Sequence, residues 1–382
     1  MKRNILFICF EPIQFRRRVL NQIKAARELE IDVTVISTTS KKLIQSKFAF
    51  NYQRIPAPEW IRPGFLRFGW FNLLLFMNLL FRRYTVIHFR GLIPMPALFL
   101  LHWFNKSLLI YDAHEYYRGH EIFHHRPVRK GFWMWFENRI TRHPEYLITV
   151  SEPLAEFFKR DYPWIKHIVV IRSLPSIKEI EIQGPDYSEI EFPPKLIIFH
   201  GYFMSGRALE KIISAMSLVE DKEIRLMLIG NGPLENILRS RVETLQLQDR
   251  VQFRDILPAD QLLAFIRKAT FGLAIIEPIS LNRQNALPNK FFEYIHAGVP
   301  VLASNIPTLQ HYIDRYKVGR TVDPGDIQAI ATTMVEMVND RTKLALWKRN
   351  CRLAAAELNW EKESEKLKDI YQAVYSLPVK RK

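Results

Sequence analysis

Short, continuous apolar runs alternate with helix-patterned segments along this chain, halt at a proline-rich break, and then begin again. An unbroken apolar strand is buried on both faces, which points to a parallel sheet covered by helices. In the first half, strands are predicted at Ile5–Phe10, Val33–Ser37, Thr85–His88, Leu108–Tyr111 and Tyr146–Val150. Helices are predicted at Val19–Leu29, Phe68–Phe81, Ala97–Phe104 and Gly131–Thr141. The stretch Ser173–Lys195 mixes prolines, one glycine and charges of both signs, and reads as a linker. The alternation restarts with strands Leu196–His200, Arg225–Ile229, Val251–Phe253, Gly272–Ile276 and Val299–Ala303. Helices Ala208–Leu218, Leu234–Thr244, Asp260–Ala269 and Lys290–His296 lie between them, and Trp360–Leu377 forms a last amphipathic helix. The expected organisation is α/β: residues 1–180 form one doubly wound domain, 181–195 a linker, 196–358 a second such domain, and 359–382 a C-terminal helix. Open parallel sheets bind ligands beyond the carboxyl ends of their strands, so two of them facing across a cleft suit a two-substrate transferase.

The net charge is +16, and it is uneven. Residues 1–190 hold 28 Lys and Arg against 17 Asp and Glu, the remainder 27 against 22. A basic first half fits nucleic acid, anionic lipid or an acidic substrate. No nucleic-acid motif accompanies it, which puts lipid or phosphate first. Cys9 and Cys351 are far apart and neither has a CxxC partner, so a disulfide framework is not expected and a reducing compartment fits. The start MKRNILFICFEPIQF is basic then apolar, but Glu11 and Pro12 interrupt it, and it reads as a first strand rather than a signal peptide.

Three segments carry candidate chemistry. Arg207, in HGYFMSGRALEKII, follows a strand and opens a helix, where unpaired N–H groups and a guanidinium suit a phosphate; the alternative is a solvated arginine. Gly230-Asn231-Gly232-Pro233 is a strand-to-helix turn whose glycines let the backbone turn tightly or approach a ligand. In LPNKFFEYIHAGVP, Pro288 and Asn289 start a helix with Lys290 in its first turn and Glu293 three residues on, sharing one side. A lysine there opposes the helix dipole and makes sense if an anion docks; the alternative is a Glu–Lys pair.

The runs LPNKFFEYIHAGVPVLAS, LMLIGNGPLENIL, VQFRDILP, YDAHEYY and YLITVSEPLAEFF resemble the GT4-like family of retaining glycosyltransferases, over essentially the whole chain and most strongly from Leu196 to Gly325. The resemblance implies the GT-B fold, two Rossmann-like doubly wound domains, with the C-terminal helix crossing back to the first of them. It implies metal-independent transfer from a nucleotide-sugar donor. Glu293 matches the second Glu of the family's E-x7-E motif and would hold the ribose hydroxyls. Arg207 matches one of two cations on the donor diphosphate; the other family position, after Gly201, is Tyr202, and Lys290 would substitute. The stretch around Ile256 matches the region that holds the base, and Gly230 and Asn289 belong to the same nucleotide-sugar set. The first Glu of E-x7-E is Asn285, uncharged but still able to bond sugar hydroxyls. His114 matches a histidine facing the reacting sugar. The implied mechanism is front-face displacement, with Arg207 and Lys290 stabilising the leaving diphosphate and His114 supporting the sugar. The family's glycine-rich turn is replaced by FEPIQFRRRV, which suggests an anionic acceptor contact through Arg16, Arg17 and Arg18.

Two further readings concern partners. The aromatic, basic segments Phe65–Tyr84 and Pro127–His143 suit an anionic membrane surface; the alternative is sheet-covering helices with solvated arginines. His120–His124, HEIFH, matches the HExxH zinc-protease pattern, which needs a long helix and a third ligand. The expected activity is hexose transfer, with retention, from a UDP- or GDP-sugar to a glycan or lipid-linked glycan in bacterial surface polysaccharide assembly. The expected place is the cytoplasmic face of the plasma membrane, with no metal and no nucleic acid involved. The alternatives are a non-catalytic nucleotide-sugar-binding subunit and, remotely, the zinc protease.

Overall fold

A computed structural model describes residues 3–11, 13, 17–38, 50–58, 64–104, 106–177, 193–257 and 259–377. Linker residues 181–192 and Arg16 lie outside these. The chain forms two compact units, Met1–Ser173 with Glu363–Lys382, and Leu174–Lys362.

In the first unit the order is β1 (Asn4–Ile8), α1 (Arg17–Glu28), β2 (Asp32–Ser37), β3 (Asn51–Arg54), α2 (Gly64–Leu80), β4 (Val86–Arg90) and α3 (Met95–Leu101). It continues with β5 (Leu108–Asp112), α4 (Pro127–Ile140), β6 (Pro144–Thr149), α5 (Glu152–Asp161) and β7 (Ile168–Val170). The seven strands are parallel, in the order β3-β2-β1-β4-β5-β6-β7. Strand order therefore reverses between β1 and β4, the point at which open parallel sheets generally bind ligands, beyond the strands' carboxyl ends. The core on one sheet face gathers Leu6, Ile87, Phe89 and Tyr111 with Phe71, Leu75 and Leu79 of α2.

The second unit runs β8 (Lys195–His200), α6 (Leu209–Leu218), β9 (Ile224–Ile229), α7 (Glu235–Thr244), β10 (Val251–Arg254), α8 (Ala259–Ile266) and β11 (Phe271–Ala274). Then come α9 (Leu281–Gln284), α10 (Asn289–His296), β12 (Val301–Ser304), α11 (Pro307–Tyr316), β13 (Gly319–Val322), α12 (Ile327–Asn339) and α13 (Arg341–Glu357). Its six parallel strands are ordered β10-β9-β8-β11-β12-β13, so the reversal falls between β8 and β11. One core lies on each face of this sheet.

The final helix, α14 (Trp360–Ser376), packs on the first unit. Tyr371 bonds His88 of β4 at 3.1 Å, and the Tyr375 hydroxyl donates to the Asn4 carbonyl at 2.7 Å. Lys368 pairs with Glu28 of α1 at 2.9 Å, and Glu363 with Arg172 at 2.9 Å. His88 is thereby sealed, and burial lowers its pKa to about 4.

Candidate functional site

In the second unit the chemistry collects beyond β8. Gly201 and Gly206 have φ of +129° and +81°, and Ala208 caps α6 at +50°, so the loop folds back toward the strand end. Tyr294 of α10 fixes this strand from below: its hydroxyl donates to the Ile198 carbonyl at 3.2 Å and accepts from the His200 amide at 3.3 Å. The first turn of α10 is thus held beside the β8 loop. A Cβ on Gly201 would lie 3.0 Å from Arg207 Nη1 and 3.4 Å from Lys290 Nζ, so both cations crowd the open flank of one glycine.

Neither cation is neutralised there. Lys290 is buried, its Nζ sits 3.3 Å from the centre of the Phe199 ring, and no carboxylate pairs with it among the described residues. Burial, then the neighbouring Arg207, holds its pKa well below the lysine range, with Glu293 opposing. Arg207 Nε is buried with no hydrogen-bond partner, and burial followed by the charge of Arg283 lowers its pKa to about 10. Two basic groups held together in a partly dry site suit a multiply charged anion, which would favour the protonated form of Lys290.

Glu293, one turn along α10, places Oε2 3.4 Å from His200 Nε2 at the end of β8. Its carboxylate therefore lies on the same side of the helix as Lys290. Arg283 joins this group. This residue of α9 would lie 3.7 Å from a Cβ on Gly206, and its charge acts on both Arg207 and Lys290. Nothing in its local sequence marks it; only the folding of α9 over the β8 loop brings it in.

The other nucleotide-sugar candidates are more scattered. Gly230 and Gly232, at φ of +148° and +154°, serve the packing of two loops. A Cβ would fall 2.0 Å from the Gly201 carbonyl oxygen at the first and 2.4 Å from that of Phe203 at the second. Their smallness therefore sets the position of Gly201. Asn285 ends α9, and its side-chain amide donates to the Leu281 carbonyl at 2.8 Å. Asn289 is the exposed first residue of α10, following an extended Pro288. Ile256 is 60% exposed in the loop after β10, the edge strand. Tyr202 is exposed beside Gly201.

In the first unit His114 follows β5 and is half-buried, with a buried Nδ1 that lacks a hydrogen-bond partner. Burial, then Arg90, lowers its pKa to about 4, so it is a neutral imidazole at physiological pH. A Cβ on Gly91 would meet the Tyr117 hydroxyl at 3.0 Å and His114 Cε1 at 3.7 Å. Arg90, at the end of β4, adds buried Nε and Nη1 atoms without partners.

Arg18 requires a correction as an acceptor-side cation. It is buried, with Nη2 2.7 Å from Asp112 Oδ1, Nε 3.1 Å from Oδ2, and Nη1 donating to the Ile171 carbonyl at 2.6 Å. Its charge is used within the unit. Arg17 begins α1 and is half-buried. The HEIFH segment is also corrected. Glu121–Phe123 is one 3₁₀ turn and His120 caps it, accepting from the Ile122 amide at 3.1 Å. His120 and His124 consequently never share a face of an α-helix. Among the described residues, no three His, Cys, Asp or Glu side chains gather as a metal-binding group.

Residues 187–354 match the family described as glycosyl transferases group 1, and residues 16–173 match glycosyltransferase family 4. N-acetyl-alpha-D-glucosaminyl L-malate synthase of Bacillus anthracis is 22% identical over 191 residues, 47% of this chain and 45% of that protein. A GDP-mannose-dependent alpha-(1-6)-phosphatidylinositol monomannoside mannosyltransferase of Mycobacterium tuberculosis is 26% identical over 151 residues, 38% of each protein. The matched segments thus span less than half the length of either relative. The Anabaena protein HepE, solved in complex with UDP-glucose, superposes with a TM-score of 0.76 at 14% identity, covering 97% of this chain and 99% of that one.

Proposed function

The chain belongs to the GT4-like glycosyltransferases of the GT-B fold, and from that premise we propose that it moves a hexose, with retention, from a UDP- or GDP-sugar to a glycan or lipid-linked glycan. The place we propose is bacterial surface polysaccharide assembly, at the cytoplasmic face of the plasma membrane. The observation that carries this reading is the pair of unneutralised cations, Arg207 and Lys290, against the flank of Gly201. A donor diphosphate supplies the missing negative charge. Arg207, Lys290 and Arg283 then stabilise the charge that grows on the leaving phosphate, without recourse to a metal. Glu293, on the same helix, accepts from the ribose hydroxyls. His114, neutral and with a bare Nδ1, offers a hydrogen bond to a sugar hydroxyl rather than a positive charge.

The direct test is hydrolysis or transfer with a panel of UDP- and GDP-sugars. Failure of every nucleotide sugar to bind refutes the reading; binding without turnover would make the chain a non-catalytic binding subunit. Two substitutions sharpen the test. Glu293→Gln removes one charge-assisted hydrogen bond, worth about 1.5–3 kcal/mol, and is expected to raise the Kd for UDP by about 10- to 100-fold by titration calorimetry. Arg283→Gln removes a more exposed cation and is expected to weaken UDP about tenfold while leaving uridine unchanged, since uridine lacks the diphosphate. Equal losses for UDP and uridine would take Arg283 out of the phosphate site.

A further inference from the structure

Helices α2, α3 and α4 are neighbours on one side of the first unit, and each exposes large apolar side chains on the face turned away from the sheet, with Arg129 and Arg139 beside those of α4. On α2, the inner residues Phe71, Leu75 and Leu79 are buried, yet Leu66, Trp70, Leu73 and Met77 are exposed, with Phe81 following at 86% exposure. Their spacing of four, three, four and four residues is that of a single helical stripe. On α4, Val128 (87% exposed), Phe132 and Trp135 form a second stripe at the same spacing. Trp103 (77%) and Phe104 (70%) stand out at the end of α3. Aromatic contacts join the three helices: Phe76 meets Phe104 at 6.4 Å, and Phe99 meets Trp135 at 5.5 Å.

The roll of these helices is fixed by buried polar groups, so the outward stripes are built in. Asn72 of α2 donates to the Ile93 carbonyl at 2.8 Å and accepts from the Ala97 amide at 2.9 Å. Glu137 of α4 is buried and accepts from the hydroxyls of Tyr111 at 3.0 Å and Tyr162 at 2.6 Å. These bonds hold the opposite faces outward against the hydrophobic effect, at a cost that only a partner relieves.

Charge selects the partner. Glu137 is the only carboxylate on the three helices, and it faces inward. Arg82 and Arg83 after α2, Lys106, Arg126 and Arg129 are all exposed around the stripes. A symmetric second copy would set arginine against arginine. Among the described residues, no helix is long and apolar enough to cross a bilayer. The 17 residues of α2 also keep their inner face in the core. We propose that this face seats in the headgroup layer of an anionic membrane, with the two aromatic stripes entering the acyl boundary and the arginines meeting lipid phosphates. It gives a location to the membrane partner of the proposed function, but rests on this surface alone and not on the nucleotide site.

The test is co-sedimentation with phosphatidylcholine vesicles with and without phosphatidylglycerol. The wild-type protein is expected to pellet with the anionic vesicles and weakly with the neutral ones. Each surface arginine contributes about fivefold in partitioning at low salt, so Arg82→Gln with Arg83→Gln is expected to cost about 25-fold. High salt acts in the same direction. The triple variant Leu73→Gln, Met77→Gln, Phe132→Gln is expected to lose at least about tenfold with anionic vesicles, because stripe burial supplies the apolar part of binding. All variants should keep wild-type UDP affinity, which separates a failure here from a failure of the donor site. Absence of wild-type binding to anionic vesicles, or equal binding to neutral ones, overturns the proposal. So does a lipid-free dimer that the triple variant converts to monomer.

Discussion

Lys290→Met is expected to lower the rate of donor turnover by about 10²–10³-fold, the loss typical of one preorganised donor at a developing oxyanion, and to raise the melting temperature of the nucleotide-free protein. Both effects have one origin. The amine is buried over the Phe199 ring beside Arg207, with no carboxylate pairing it among the described residues, so the folded state must either bury the charge or give up the proton, and each has a cost. Methionine keeps the shape and removes the charge. A gain of about 1 kcal/mol would raise the melting temperature by ~2–4 °C in a unit of this size. The pH dependence follows from linkage. The folded pKa of Lys290 lies below its unfolded value, so between the two the unfolded chain binds more protons, and wild-type stability rises with pH there. The variant should lack that rise. UDP restores the charged form, so its binding should take up protons, increasingly so as pH rises into the alkaline range. Thermal unfolding across pH, and calorimetry in two buffers of different ionisation enthalpy, read both effects. A variant that turns over within twofold of wild type would remove Lys290 from the phosphate site.

Arg18→Met is expected to destabilise the first unit by about 3–5 kcal/mol, the cost of leaving one member of a buried ion pair alone. Arg18 meets both oxygens of Asp112 and also ties α1 to the segment after β7 through the Ile171 carbonyl. Burial acts to raise the Asp112 pKa, but the Arg18 charge and hydrogen bonds more than offset it and hold it below the ordinary carboxylate range. In the wild type this stabilisation is present above the unfolded pKa and is lost as pH falls through the folded one. In the variant burial acts without its main opponent, and the folded pKa moves above the unfolded value. Stability should then fall as pH rises from about 4 toward 7, the reverse of wild type. Denaturant melts at several pH values measure this. A variant with the wild-type pH profile would show that Gln22, which also donates to Asp112 at 3.1 Å, carries the site.

The sequence announces the inner strands clearly because β1, β4, β5, β8 and β11 are buried on both faces and read as unbroken apolar runs. The edges are quieter. β3 is NYQR and β13 is GRTV, polar-rich edge strands with a neighbour on one side only, so neither pattern reads as a strand. The last strand–helix units, α11, β13, α12 and α13, also went unread although their helices are amphipathic. Within the site, Lys290 and Glu293 were legible from their offset on one helix, and Arg207 from its place after a strand. Arg283 was not, because its relevance depends on how α9 folds over a loop some 80 positions earlier in the chain. The arginine triplet misled for a related reason. Composition cannot say which of three adjacent cations turns inward; here Arg18 shares the buried face of α1 with Gln22 and Ala25. The two glycines after β9 are needed for loop packing, a requirement that an isolated sequence does not display because the partner loop lies near Gly201 and Phe203.

The docking of α14 has a consequence for synthesis. Tyr375 closes against Asn4 at a separation of 371 residues, and Tyr371 seals His88. The half of the protein that leaves the ribosome first is therefore the half that is finished last. The second unit is complete in sequence before the first receives its last helix, and until then β1 and β4 present an uncovered flank. A nascent chain of this kind depends on its second half folding promptly, so that α14 finds its seat before the exposed sheet finds another chain.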